Sequence, residues 1–249
     1  MLLKLIRLAP LAFAALMLAG PGARAEMDAA EKREIERIVR DYILTNPEIV
    51  ETALMALEEK RREEAKAKQA ETIAQMREQI FNSPHQAVLG NPLGRVTLVE
   101  FFDYNCGYCK RALGDMLALI EANPDLRIVL KEFPILSEGS LEAARLAVAV
   151  ARLAPDKYLD FHREMLTRGG PANAEKALGI ARDLGLDAGA LQAEAGKDDV
   201  MQGLAEVQEL ARALEISGTP SYVVGNEAVF GAVGFDALQE KIKAAREEG

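Results

Sequence analysis

Val96-Thr97-Leu98-Val99-Glu100-Phe101-Phe102-Asp103-Tyr104-Asn105-Cys106-Gly107-Tyr108-Cys109-Lys110-Arg111-Ala112-Leu113 reads as a buried strand, a short turn and the opening turn of a helix. Cys106 and Cys109 are the only two cysteines of the 249-residue chain. A strand that delivers a Cys-x-x-Cys to a helix N-terminus sets up a redox-active thiol. The unpaired N–H groups and the positive end of the helix dipole favour a thiolate there. The three-residue step puts both sulfurs on one helix face, close enough to close a small disulfide ring.

Upstream of this stretch the sequence begins with features of export. Lys4 and Arg7 are followed by an apolar run, Leu8 to Ala19, and by a small-x-small site at Ala23-Arg24-Ala25. Residues 1–25 are expected to be a cleaved signal peptide and Glu26 the mature N-terminus. A membrane anchor is the alternative, but the apolar run is short, contains Pro10 and ends in Gly20-Pro21-Gly22. Removing residues 1–25 takes away Lys4, Arg7 and Arg24 and no acids, so the net charge goes from −9 to −9 − 3 = −12. Such a balance argues against a nucleic-acid partner, which would ask for clustered Lys and Arg. Export to an oxidising compartment, the periplasm, also gives the cysteines their meaning. Structural cystines there link distant segments, whereas a bridge within one Cys-x-x-Cys closes almost no loop. A zinc site would need further ligands, and His85 and His162 stand alone, so no metal and no cofactor is expected.

Between the leader and the cysteines lies a helical stretch. Ile35, Ile38, Val39, Tyr42 and Ile43 form one stripe over residues 28–44. Asn46-Pro47 breaks it, with Thr45 or Asn46 placed to cap a second helix that carries Ile49, Val50, Ala53, Leu54 and Leu57. Residues 58–72 are Glu, Lys, Arg, Ala and Gln up to a closing Thr72, a solvated rod, and apolar residues return at Ile73, Met76 and Ile80. The stripe over 35–57 must pack on its own domain, on copies of itself or on a membrane. A mixed-charge polar face disfavours the membrane.

Downstream, the helix after Cys106 should stop at Asn123-Pro124, and Leu126 to Phe133 should be a strand parallel to the first. Val88-Leu89 is a short apolar piece between loops. Residues 137–214 are rich in Ala and Leu and read as four or five short helices. Ser140, Asn173 and Asp187 are candidate N-caps, Pro155 a first helical position, and Gly169-Gly170-Pro171 a break. Tyr222-Val223-Val224, Gly225-Asn226 and Ala228-Val229-Phe230 signal a hairpin, and a last amphipathic helix covers about 235–247.

The order β-α-β, helical insert, β-β-α around a Cys-x-x-Cys resembles an interrupted thioredoxin fold. Val99 to Cys109, Lys131-Glu132-Phe133-Pro134, Gly218-Thr219-Pro220 and Gly231-Ala232 resemble the DsbA-like family of exported thiol-disulfide oxidoreductases. The N-terminal extension resembles that of its ScsC (suppressor of copper sensitivity C) subgroup, some of whose members oligomerise through it. The resemblance implies an α/β thioredoxin fold with an inserted helical domain, preceded by a helical stalk. Its parts are 1–25 signal peptide, 26–80 oligomerisation stalk and 81–249 thioredoxin-like domain, with the insert at about 137–214.

The site residues follow. Cys106 is expected to be the exposed nucleophile and Cys109 the shielded resolving thiol. Pro220 is expected to be cis, as at the matching family position, and Thr219 to present its backbone beside Cys106 for a client chain; an ordinary turn proline is the alternative. Glu100, an acid inside an apolar strand, matches the buried acid of the family and would move the Cys109 proton; an acid at a wet strand edge is the alternative. Lys131 is a conceivable partner for it. Tyr104 and Phe102 should pack around the site, and His162 should have no chemical role. Gly107-Tyr108 carries no positive charge and resembles the dipeptide of periplasmic disulfide isomerases, as does Thr219.

The function these features imply is disulfide isomerisation or reduction on misfolded exported proteins, by a homo-oligomer joined through residues 28–80, with a membrane redox partner setting the state of the dithiol. A dithiol oxidase is the alternative within the family. A Cu(I) carrier is the alternative from another class, since two thiolates suit a soft ion.

Overall fold

The structure, a computed structural model, describes residues 27–248. The expected signal peptide lies outside the described residues. The chain divides into two compact units at Lys60/Arg61. No described helix is long and apolar enough to cross a membrane.

The first unit holds α1 (Ala29–Thr45) and the opening of α2 (Glu48–Gln75). Asp28 starts α1 with a capping box: its carboxylate accepts from the Ala30 and Glu31 N–H groups, and Glu31 reaches back to the Asp28 N–H. Asn46 closes α1 rather than opening α2. Its Nδ2 donates to the Tyr42 carbonyl at 2.8 Å, and Thr45 Oγ1 donates to Asp41. The last turn of α1 has orphan carbonyls for these donors to satisfy. No residue of α1 is buried, and the expected stripe stands in solvent, with Tyr42 59% and Leu54 55% exposed. Ile43, Leu44, Val50, Leu54 and Met55 line an apolar cleft between the two helices.

The second unit is built on a five-stranded sheet of order β1-β3-β2-β4-β5. Its strands are β1 (Ala87–Gly90), β2 (Val96–Phe102), β3 (Leu126–Glu132), β4 (Ser221–Val224) and β5 (Glu227–Phe230). β2 and β3 run parallel across α4 (Gly107–Ala122); β4 and β5 form the expected hairpin, with Gly225 at φ 58° in its turn. Val88-Leu89 belongs to β1, antiparallel to β3.

The helical insert contains α5 (Glu138–Leu153), a 3-10 turn at Pro155–Lys157, α6 (Tyr158–Thr167), α7 (Ala174–Asp183), α8 (Ala188–Ala195) and α9 (Asp198–Ala213). Asn173 and Asp187 cap α7 and α8. Ser137, not Ser140, caps α5: its Oγ accepts the Ser140 N–H, which leaves Ser140 inside the first turn.

The central strand is apolar on both faces because both are covered. Leu98 and Phe102 join a cluster with α4, α5, α6 and the final helix α10 (Phe235–Glu248). Val99 and Phe101 pack on the other face with Ile73, with Ile80 of α3 (Arg77–Asn82) and with Val207 and Leu210 of α9. The apolar residues that return after the solvated rod therefore belong to the second unit's core.

Candidate active site

The site sits where β2 ends. Asp103 and Asn105 form an Asx turn, the Asn105 N–H donating to Asp103 Oδ1 at 2.8 Å, and the Cys106 N–H donates to the Asp103 carbonyl. Asp103 is buried, and its Oδ2 accepts from the Ile135 and Leu136 N–H groups at 2.9 and 3.0 Å. It ties the cysteine turn to the segment after β3. Asn105 holds the insert: Nδ2 donates to Ser140 Oγ and to the Ala172 carbonyl, and Oδ1 accepts the Ala172 N–H. Neither role was expected. The Asp-x-Asn spacing ahead of a helix was the available signal for the turn, but the partners lie 30 and more residues away.

Cys106 is the N-cap of α4 and Cys109 lies in its first turn, both as free thiols. Cys106 is not openly exposed: 6% of its surface reaches solvent. The reason is the loop before β4, which packs over it. The Thr219–Pro220 bond is cis, and the Cys106 thiol donates to the Thr219 carbonyl at 3.2 Å. Thr219, Pro220 and Cys106 thus come together at one point, beside an open cleft of about 410 Å³ lined by Gly218, Thr219, Pro220, Phe230 and Gly231.

Beneath that point is Glu100. It shares a sheet face with Leu98 and Phe102, flanked by Leu130 of β3 and Tyr222 of β4. It is 5% exposed, so it is an interior acid and not a wet edge, and burial raises its pKa to about 8. Burial likewise pushes the Cys109 thiol up, and the charge of Glu100 adds to that rise. Lys131 does not pair with Glu100. It aligns with Phe101, one residue out of phase, and so faces the opposite side. There its Nζ donates to the Gln79 carbonyl and to Gln86 Oε1, both at 2.7 Å, and burial lowers its pKa to about 8.

A second buried polar group lies on the Glu100 side of the sheet. The Tyr158 hydroxyl donates to Glu132 Oε1 at 3.1 Å, and the Tyr104 hydroxyl meets His162 Nδ1 at 3.2 Å and Tyr158 at 3.5 Å. Phe102 stacks edge-on against both Tyr104 and His162. Tyr104 and Phe102 do pack around the site. Burial lowers the His162 pKa to about 3, keeping the ring neutral, and pushes the Glu132 carboxyl well above its usual range. Tyr158 and His162 are four apart on α6 and so share a face, which was the one sequence sign of this cluster. Among the described residues no group of three or more His, Cys, Asp or Glu is placed to hold a metal ion.

A family model described as the DSBA-like thioredoxin domain matches residues 97–243, which span the dithiol, the insert and the cis-proline loop. The chain belongs to the DSBA-like thioredoxin family. A second model, the copper resistance protein ScsC N-terminal domain, matches residues 31–64, which contain most of α1 and the start of α2. Among solved structures, a thioredoxin-like oxidoreductase from Silicibacter pomeroyi DSS-3 is 44% identical with a TM-score of 0.66, over 69% of this chain and 98% of that one. A linker-deletion variant of Proteus mirabilis ScsC is 26% identical with a TM-score of 0.68, over 91% of this chain and all of that one (100%). Disulfide bond formation protein D of Bacillus subtilis is 25% identical over 168 residues, 64% of this chain and 76% of that protein. This DSBA-like chain is thus a thiol-disulfide oxidoreductase by family, and its two free cysteines sit within the matched domain.

Proposed function

We propose that the protein is an exported disulfide isomerase or reductase that works in the periplasm as a homo-oligomer joined through residues 28–80. The observation that carries the exchange chemistry is the contact between the Cys106 thiol and the Thr219 carbonyl, with Cys109 shielded behind it. A client chain laid along Thr219 brings its disulfide to Cys106. The Cys106 thiolate attacks one client sulfur. The Cys106–client S–S bond forms, the client S–S bond breaks, and the released client thiolate takes up a proton. In isomerisation a different client thiolate attacks the client sulfur held by Cys106; a new client S–S bond forms, the Cys106–client bond breaks, and Cys106 leaves as the thiolate. In reduction, Cys109 gives its proton to the Glu100 carboxylate and attacks Cys106. The Cys106–Cys109 bond forms, the remaining client sulfur leaves as a thiolate, and the pair has given two electrons to the client. A membrane redox partner must then return two electrons to the pair.

Two features favour isomerisation over oxidation. Gly107-Tyr108 adds no positive charge that would stabilise the thiolate further. The apolar stripe of α1 and α2 stands exposed, as a surface that copies of the chain would cover. Several sites around one client raise the effective thiol concentration and hinder a partner oxidase that must dock at Cys106. The oxidase reading draws on the name of the Bacillus subtilis relative, and the Cu(I)-carrier reading on the copper-resistance description of the N-terminal match. Equilibration with glutathione buffers separates the first pair. The expected potential lies near that of disulfide isomerases, about −180 mV; a value near about −120 mV, that of the strongest oxidant of this type, supports the oxidase.

A further inference from the structure

β5 is an edge strand, and the protein covers that edge with a helix instead of another strand. The Ala228 N–H, which points away from β4, donates to Gln69 Oε1 of α2 at 2.9 Å. Nearby, Lys68 Nζ meets Glu215 Oε1 at 3.1 Å. Between α2 and β5 the surface is not closed. A cleft of about 380 Å³ remains, with Ala65, Lys66 and Lys68 on the helix wall and Glu215, Ala228 and Phe230 opposite. Glu215 and Phe230 also line the cleft at Thr219–Pro220, so the two clefts adjoin at these residues. Together the two adjoining clefts mark out a surface groove with Thr219 at one end, the half-exposed ring of Phe230 between and the cationic wall of α2 at the other.

We propose that this groove holds the client chain beyond its reacting cysteine, and that residues 62–72 of α2 are a client-binding wall and not only the neck of the stalk. The occupant is an extended polypeptide segment with an apolar side chain on Phe230, followed by a carboxylate at Lys66 and Lys68. The apolar part fits because Phe230 and Ala65 face the same space. The acidic part fits because the Lys68–Glu215 pair is 73% and 75% exposed. Such a pair is worth little, so a client carboxylate can take the place of Glu215 at small cost. Glu227 does not oppose this at full strength, since Lys241 holds both of its oxygens at 2.7 and 2.8 Å. The inference rests on the exchange reading for the identity of the occupant, but its geometry is independent of the sulfurs.

The test uses the full chain and the charge-reversed variant Lys66→Glu/Lys68→Glu, both positions being on the exposed face of α2. The probes are fluorescent peptides with a serine at the cysteine position and a Leu-Glu-Glu tail on its N-terminal or C-terminal side, read by anisotropy, with glutathione exchange measured in parallel. The expected result is about tenfold weaker binding of at least one tailed peptide, about 1.4 kcal/mol. A tailless peptide and the glutathione rate should be unchanged. Equal affinity of both proteins for both tailed peptides overturns the groove. A native chain that binds the tailed peptide but exchanges with neither glutathione nor a cysteine peptide overturns the exchange reading and leaves the groove standing.

Discussion

Cys106→Ser removes every trace of exchange above the uncatalysed rate, with glutathione and with protein clients alike, and Cys109→Ser does not. The two thiols differ in place. Cys106 caps α4 and meets the Thr219 carbonyl at the edge of an open cleft, whereas Cys109 is 1% exposed. Only the first can be reached by a client sulfur. A serine hydroxyl keeps the contact to Thr219 but is not a nucleophile toward sulfur at neutral pH. Cys109→Ser retains attack and loses resolution, so client proteins accumulate as mixed disulfides on Cys106, seen as adducts on a non-reducing gel. Adducts on the Cys106→Ser protein, or full turnover by it, would mean that Cys109 attacks first.

Glu100→Gln makes the protein more stable and the resolving step slower. The folded pKa of Glu100 is raised to about 8 from 4.5. An acid shifted upward binds more protons in the native than in the unfolded state between those values, so stability is lost as pH rises through that window. At about 1.4 kcal/mol per pH unit, the roughly 2.5 units up to pH 7 amount to about 3 kcal/mol. Glutamine, neutral throughout, does not suffer that loss. Urea denaturation should show the variant on a par with the native chain near pH 4.5, ahead by about 3 kcal/mol at pH 7 and further ahead at pH 8.5. Glu132 is raised in the same direction, so the native chain's remaining slope with pH belongs partly to it. With a pKa of about 8, roughly a tenth of Glu100 is ionised at pH 7, enough to accept the Cys109 proton. Release of a preformed mixed disulfide should slow about 10²-fold in the variant, the lower end of general-base effects. A variant that resolves at the native rate would leave Glu100 as a buried acid without a part in the reaction.

Much of this was legible from local pattern. β2, α4 and the hairpin are each set by contiguous residues, and the cis-proline loop and Glu100 stood out through family resemblance. What was not legible depends on distant partners. β1 has four residues and gains its identity from β3, about 40 positions on. Asp103 and Asn105 look like turn residues, yet Asp103 holds the segment after β3 through Ile135 and Leu136, and Asn105 holds the insert through Ala172. The burial of Cys106 comes from a loop more than a hundred residues later. The side of the sheet that Lys131 takes follows from register, which sequence alone does not fix. Glu132 and His162 meet through Tyr158 and Tyr104, a cluster assembled from three elements.

The central claim is that Cys106 and Cys109 act on wrongly bridged proteins as part of an oligomer. Reactivation of a scrambled-disulfide protein tests it, comparing the chain from Glu26 with one that starts at Arg61. The cut belongs there because Ile73 and Ile80 are fully buried in the second unit's core. The account predicts reactivation by the longer chain, with several subunits by light scattering, and its loss in a monomeric shorter chain that still exchanges with glutathione. Equal reactivation by both, or none by either alongside rapid oxidation of a reduced client, would contradict it.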